Sequence, residues 1–426
     1  MSRELAHKIA LDLTPAQTAY CMQACGTSRF VWNWGLNAWN EARARGEKPT
    51  GQSLKKAFNA IKYQKFPWLE DIHRDAHAQP FQTLGKAWAT YFSARKAGRK
   101  NVGEPTFKKK GAGRDSFYVA NDKFRVVGNT AVLPKIGEVR LHECLRFEGK
   151  ILFGTVSRDA GQWFLSVTVE VSNKQYRRQR SGNGVIGVDL GVKHTATSSR
   201  GPKEEGPKPL KKLLKRVQKL GKSVSRKVEV AKTACGVSGE QTHPQVCLLK
   251  SKNRQKVAAK LAKTHQKIRN VRQDFLHKLT TRLCRENQAI GLETLNVAGM
   301  VQNRKLARAV SDIGMGELVR QLRYKAERYG TLLVFVDPWF PSSKRCSACK
   351  FVVDSLPLSV RTWTCPACGV EHDRDLNAAQ NLEQEAWLAL KKTLPAASGE
   401  VTPVRDEDRL QKDSGQELEP CTLLCT

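Results

Sequence analysis

Four cysteines stand in two pairs, Cys346-Ser-Ala-Cys349 and Cys365-Pro-Ala-Cys368, with fifteen residues between the pairs. Each C-x-x-C step bends the backbone so that two thiolates can meet one ion, and this spacing is that of a zinc ribbon. Four thiolates close the tetrahedron around Zn²⁺ and leave no open position for a substrate, so the expected role is structural. An iron–sulfur cluster would take the same donors but fits the ribbon spacing less well.

Three carboxylates carry a second kind of chemistry. Asp189 interrupts the apolar run Val-Ile-Gly-Val-Asp-Leu-Gly-Val, and Glu293 ends Ala-Ile-Gly-Leu-Glu. Both runs read as buried strands, and a carboxylate left unpaired in a buried strand costs several kcal/mol, so each acid needs a partner or a cation. Asp375 opens a helical stretch seven positions after Cys368. Singly, each has an ordinary explanation: a turn-forming Asp before Gly191, a salt-bridging Glu, an N-cap. Together they offer the hard oxygen ligands that Mg²⁺ prefers. Two such ions about 4 Å apart promote phosphodiester hydrolysis. Asp373 is the weaker candidate for the third position, and His372 is a neighbour that could support the site.

The elements that must position these groups follow in a recognisable order. A strand with Asp189 leads into a hairpin, then a large helical insert, then the strand with Glu293. A helix, the strand Thr-Leu-Leu-Val-Phe-Val, the cysteine-rich insert and the Asp375 helix complete it. The helix before that last strand is expected to start near Ser311 or Asp312 and to stop at Gly330. This order is the RNase H/RuvC arrangement of a mixed α/β sheet, in which three acids from separate elements converge at strand ends. Upstream, Lys-Ile-Ala-Leu-Asp-Leu reads as a strand, followed by a helix capped at Thr14 with Pro15 in its first turn. Trp-rich helical segments come next, with Trp32, Trp39, Trp88, Tyr91 and Phe92 expected mainly as core. Short alternating strands with Gly and Asn turns follow from about residue 103, a small β-barrel or sheet.

The 426-residue chain carries 73 Lys+Arg against 40 Asp+Glu, a net charge of +33. Such an excess implies a polyanionic partner, nucleic acid above all. It is concentrated over residues 208–282, with 21 Lys/Arg and three acids. That leaves too few acids for salt bridging along the helices, so phosphate binding is the better reading. A second basic stretch, Lys108, Lys109, Lys110 and Arg114, sits among glycines and suits phosphate contact. No apolar run is long enough to span a membrane, and no secretory h-region opens the chain. The cysteines are therefore expected reduced in a cytoplasm. No helix-turn-helix stands out, which counts against a transposase that reads inverted repeats.

The stretches GVDLGVKHTATSS, HKLTTRL, GLETLNVAGM, FPSSKRCSACK, RTWTCPACG and HDRDLNAAQNL, with CGTSRFVWNWGLNAW and PTFKKKG upstream, resemble the TnpB-type proteins of insertion sequences. These are related to compact type V CRISPR effectors. The resemblance covers roughly residues 5 to 392. It implies an RNA-guided DNA endonuclease of a prokaryotic cytoplasm, working at the nucleoid. Such a protein holds a guide RNA from the transposon end, recognises a short target-adjacent motif, and cuts double- and single-stranded target DNA at one RuvC site. Asp189, Glu293 and Asp375 would be the Mg²⁺-binding catalytic acids, with Mn²⁺ as a substitute, and the four cysteines would bind Zn²⁺. The implied fold is multidomain α+β. A wedge β-barrel takes residues 1–13 and 101–173, and a helical recognition domain 14–100. A linker spans 174–184. The RuvC-like domain takes 185–340 and 371–392, and a zinc ribbon 341–370. A disordered acidic tail ends the chain at 393–426. Gln52, Ser53, Gln79 and Asn121 could face the target-adjacent duplex, since Asn and Gln suit adenine edges. His194 stands where the family often has Asp, and the loop at 233–246 has no counterpart. A CRISPR-guided effector, or a guided DNA binder or repressor with little cleavage, are the alternatives.

Overall fold

The computed structural model describes residues 2–99, 101–111, 113–234, 251–357 and 359–393, without the side chain of Lys123. The expected loop from residue 235 to 246 and the expected tail from 394 lie outside the described residues. The chain divides into two compact units, Met1–Tyr176 and Arg177–Thr426. No described helix is long and apolar enough to cross a membrane.

The first unit opens with strand β1 (Ser2–Asp12) and helices α1 (Pro15–Ala44), α2 (Gly51–Lys65) and α3 (Arg74–Lys96). Strands β2 (Ser116–Ala120), β3 (Arg125–Val127), β4 (Thr130–Leu133), β5 (Gly137–Leu141), β6 (Lys150–Asp159) and β7 (Gln162–Ser172) follow, then one turn, α4 (Asn173–Tyr176). Thr14 caps α1 as expected: its hydroxyl accepts from the Gln17 amide at 3.2 Å, and the Gln17 side chain accepts from the Thr14 amide at 3.0 Å. The strands form one antiparallel sheet, β2-β6-β7-β1-β5-β4-β3. Strand β1 pairs with β7 over Ser2–Ala10 and with β5 at Leu11 and Asp12. That change of partner lets all seven strands share one core, with Ile9, Leu11, Val119, Leu133, Leu141 and Leu165 among its buried side chains. The expectation of a small β-barrel or sheet meets a seven-stranded sheet whose end strands are β2 and β3. The helices pack around a second core where Trp39 and Trp88 stack at 5.4 Å. Trp32, Trp39 and Trp88 are buried there and Tyr91 packs against them, whereas Phe92 is exposed and stacks on Trp88 from outside.

The second unit begins with β8 (Gly184–Asp189), β9 (Ala196–Ser198) and β10 (Lys203–Glu204). The basic helices α5 (Pro209–Ala234) and α6 (Lys252–Glu286) come next, then β11 (Asn287–Glu293) and three helices, α7 (Val297–Gln302), α8 (Ala307–Ile313) and α9 (Met315–Tyr329). Strand β12 (Leu332–Val336), the ribbon hairpin β13 (Thr362–Thr364) and β14 (Glu371–Asp373), and α10 (Arg374–Thr393) complete it. The sheet order is β10-β9-β8-β11-β12; β8, β11 and β12 run parallel, and β9 runs antiparallel to β8. Helix α6 is amphipathic along its length: Leu276, Leu279, Leu283 and Cys284 enter the core beneath the sheet, Thr264 and Ile268 are buried in its first half, and the Lys and Arg side chains of that half face outward.

One sequence expectation needs correcting. The helix expected from Ser311 or Asp312 to Gly330 is two helices, because Gly314 takes a left-handed conformation (φ 78°) that closes α8 and starts α9. Gly330 ends α9 as expected. Asp312 is buried and caps another helix altogether. Its two carboxylate oxygens accept from the amides of Leu210 and Lys211 at the start of α5, each at 2.8 Å. The start of the basic helix α5, which packs along α6, is thereby capped where its positive dipole meets a carboxylate.

Candidate functional site

Asp189 and Glu293 are the last residues of neighbouring parallel strands, β8 and β11. Each stands two positions after a glycine, and Gly187 and Gly291 face each other in the register. Side chains two apart on a strand share a face, so the glycines and the acids look the same way. The glycines make room for helix α10. A Cβ built at Gly187 would stand 2.9 Å from the Ala379 carbonyl carbon and nearer still to its oxygen. One at Gly291 would stand 2.7 Å from the Leu382 carbonyl carbon. Helix α10 therefore lies on the two strands through backbone contact, and Asp375, one turn before Ala379, arrives at the strand ends. Burial first, then the charges of Glu293 and Asp375, push the Asp189 carboxyl up to about 8, against the pull of Arg374. The three acids share one electrostatic field.

The other groups here have defined partners. Asp373, not Asp375, is the N-cap of α10: its Oδ1 accepts from the Leu376 amide at 2.9 Å, and its Oδ2 takes the Lys203 ammonium at 2.7 Å. The helix starts one residue earlier than the sequence suggested, at Arg374, so the capping position falls on Asp373 and Asp375 sits in the first turn. Burial pushes Asp373 up, but Lys203 and the Leu376 amide outweigh it and hold the carboxyl below its ordinary range. Asp375 keeps one exposed partner, the Arg361 guanidinium at 3.3 Å. Glu293 accepts a hydrogen bond from the buried hydroxyl of Ser342. His194 Nδ1 lies 3.8 Å from Glu205.

The four cysteines come together as expected. Their sulfurs all lie within 4.8 Å of one another, with Cys346–Cys368 at 3.7 Å and Cys349–Cys365 at 3.6 Å. A tetrahedron with Zn–S bonds of about 2.3 Å has edges of about 3.8 Å, so the thiols match Zn²⁺. The two knuckles are built alike. Lys350 and Gly369 donate their amides to Cys346 and Cys365 carbonyls at 3.0 and 2.9 Å, and both adopt positive φ. Burial raises the Cys346 thiol, but the Cys349 amide, His372 and the Ala348 amide outweigh it and bring it to about 6, ready to be a thiolate. His372 is buried with Nε2 3.1 Å from Cys346 Sγ, so it supports the ribbon and not the acids.

Sequence reading missed the clamp between ribbon and helix. Asn377 Oδ1 accepts from the Ser347 amide at 2.8 Å, and its Nδ2 donates to the Arg345 carbonyl at 2.8 Å. Asn381 Nδ2 donates to the carbonyls of Ser342 at 2.9 Å and Arg345 at 2.6 Å. Both asparagines are buried. The N-x-x-x-N spacing in LNAAQNL, two amides on one helix face, is the signal that could have found them.

The nucleic-acid candidates of the first unit are more dispersed. Lys108 lays its ammonium over the Trp32 ring at 3.7 Å, and Arg114 donates to Ser157 at 2.9 Å; Lys109 and Lys110 are exposed. Ser53 spends its hydroxyl on the capping box with Thr50 at the start of α2. Gln52 and Asn121 are exposed. Gln79 lines a cleft of about 360 Å³ with Lys55, Lys62, Asp75, His77 and Tyr118.

Comparison with known proteins bears on these sites. A family profile described as "Probable transposase" matches residues 164–304, and one described as "Cas12f1-like, TNB domain" matches 316–382, from α9 through the ribbon into α10. A protein of Streptomyces pristinaespiralis named as an RNA-guided DNA endonuclease is 32% identical over 415 residues, 96% of this chain and 94% of its own length. The chain belongs to the TnpB-type family. A Mycobacterium tuberculosis H37Rv protein of the same naming is 30% identical over 88% of this chain and 85% of its own. InsQ of Escherichia coli K12 is 27% identical over 90% and 92%. A profile described as "Helix-turn-helix domain" matches residues 1–48, where sequence reading found no such motif. In this TnpB-type chain those residues fold as β1 and one unbroken helix, α1.

Proposed function

We propose that the protein is an RNA-guided DNA endonuclease that hydrolyses target phosphodiesters at Asp189, Glu293 and Asp375. The observation that carries this reading is the convergence of the three acids, which leaves the Asp189 carboxyl at about 8. A cation relieves both causes, the burial of the charge first and the repulsion from Glu293 and Asp375 second. The donor set is all carboxylate, which suits Mg²⁺. Bound there, Mg²⁺ would supply charge stabilisation to the attacking and leaving oxygens of the phosphodiester. The chain's own residues do the rest. Asp189 gives up its proton when a cation arrives. Ser342 fixes the rotamer of Glu293, and Asp373 and Lys203 hold the start of α10 so that Asp375 faces the strands. The sheet, with β9 antiparallel to β8 and β11 and β12 parallel beside it, supports a RuvC-type domain. The basic faces of α5 and α6 bring the polyanion to a site whose own charge repels it.

The guide is RNA from the transposon end, and the target is marked by a short adjacent motif. Base pairing reads the sequence, while the protein reads backbone shape and that motif. Asp189→Ala should abolish cutting while RNA and target binding persist, and undiminished Mg²⁺-dependent cutting by that variant would refute the site. Sequencing the RNA that copurifies separates a transposon-end guide from a CRISPR guide.

A further inference from the structure

Trp339 is 90% exposed, while the other exposed large apolar side chains among the described residues reach 69% at most. Its ring takes no aromatic or cation partner among the described residues. Yet the backbone beneath it is fixed. The Trp339 amide donates to Asp337 Oδ1 at 2.8 Å, the Phe340 amide to the Asp337 carbonyl at 3.0 Å, and the Ser342 amide to the Phe340 carbonyl at 2.8 Å. Pro338 and Pro341 stiffen the same turn, and the Arg345 guanidinium covers Phe340 at 5.5 Å. A chain that merely tolerated a stray tryptophan would not build so determined a turn under it.

The turn is anchored to the acid site at both ends. At its start, Val336 pairs with Glu293 in the sheet register, and Thr294 donates to the Val336 carbonyl at 2.6 Å. At its end, Ser342 donates to the Glu293 carboxylate itself. Trp339 is three residues from either anchor, within roughly 10 Å of each along the chain and so within roughly 15 Å of Glu293. We propose that Trp339 is a stacking post for an unpaired nucleobase of the DNA strand at the acid site. The inference rests on the nuclease reading above. An aromatic face suits the task because every base has a π-face, so stacking tolerates any sequence. An enzyme whose target is chosen by a guide needs that tolerance where it cuts, since it cannot read the bases there.

The test uses the protein with its copurified RNA and a DNA duplex matching that RNA, with 2-aminopurine placed at successive positions around the cut. Wild type should quench the fluorophore at one or two positions. In Trp339→Ala the quenching should vanish and the cutting rate fall about 10-fold, with guide-RNA content and melting temperature unchanged. Trp339→Phe should restore most of both. Trp339→Ala that cuts at the wild-type rate with quenching intact would overturn the proposal. A wild-type complex that binds target and does not cut would overturn the nuclease reading instead, and quenching that depends on Trp339 would still decide the stacking.

Discussion

Replacing Gly187 by Ala tests whether the third acid is placed by backbone contact between α10 and the sheet. A methyl at Gly187 would stand 2.9 Å from the Ala379 carbonyl carbon, and ordinary contact begins near 3.4 Å. The carbon alone asks for a 0.5 Å retreat of the helix (3.4 less 2.9). The carbonyl oxygen and the Glu383 amide nitrogen, which lie closer, raise the demand to about 1 Å or more, because neither is a flexible side-chain tip. Asp375 rides on the same helix. Overpacking of this kind costs about 1–3 kcal/mol of stability, and misplacing a catalytic group by about 1 Å costs about 100-fold in rate. Gly187→Ala should therefore cut target DNA about 100-fold more slowly, while keeping its zinc and its guide RNA. The assay is single-turnover cleavage beside a thermal melt and a zinc determination. Gly221, inside α5 with open space around it, is the control: Gly221→Ala should be neutral or stabilising by up to about 1 kcal/mol. If Gly187→Ala cuts at the wild-type rate, the close approach of helix and strand does not set the geometry of the site.

Other perturbations have different signatures. Asp189→Asn should be inactive yet more stable without Mg²⁺ at pH 7.5, by about 5 kcal/mol. Between pH 4 and 8 the folded state holds one more proton than the unfolded on this carboxyl, so wild-type stability falls as pH rises, and Asn removes that loss; equal melting temperatures would contradict it. Lys325 is buried, donates to the His277 carbonyl and the Thr280 and Thr281 hydroxyls at 2.7–2.8 Å, and is brought by burial down to about 8. The unfolded state then binds the extra proton between pH 8 and 10.5. This site should add about 3 kcal/mol of stability as pH rises through that window, a slope that Lys325→Met should flatten in denaturant titrations. Cys368→Ser should lower the zinc content below one ion per chain and slow cutting at least 10-fold, because Asn377 and Asn381 then clamp a loosened partner. An unaltered rate in zinc-free protein would disconnect ribbon from site.

What the sequence made legible was chemistry that breaks a local rule. An acid inside an apolar strand, or two C-x-x-C steps fifteen residues apart, cannot be explained by the element that holds it, so it points outward to a cation. The Trp core and the Thr14 cap were legible because period and cap chemistry are local. Features set by tertiary partners were not. Asp312 looks like the start of its own helix and instead caps α5, about a hundred residues upstream. Lys108 looks like a free phosphate ligand and instead lies on Trp32. Gly314 reads as a tolerated glycine in a helix, and only its φ of 78° shows the break. Asp373 and Asp375 differ by where a helix begins, the boundary that local patterns fix least well.

The short interval from Cys368 to Asp375 gains its meaning from that last distinction. Three carboxylates that repel one another will not stay together unless something else holds their carriers. Two of the carriers are strands fixed by sheet hydrogen bonds. The third is the first turn of a helix, the part most prone to fray. Asp373 caps that turn, the glycine pair lets the helix lie on the strands, and Asn377 and Asn381 tie its next turns to residues 342–347 beside the zinc knuckle. Ser342 belongs to the same clamp and reaches Glu293. The ribbon therefore braces two of the three acids, one through the helix and one through a single hydroxyl. A closed structural metal can in this way govern the geometry of a catalytic one without sharing a ligand with it.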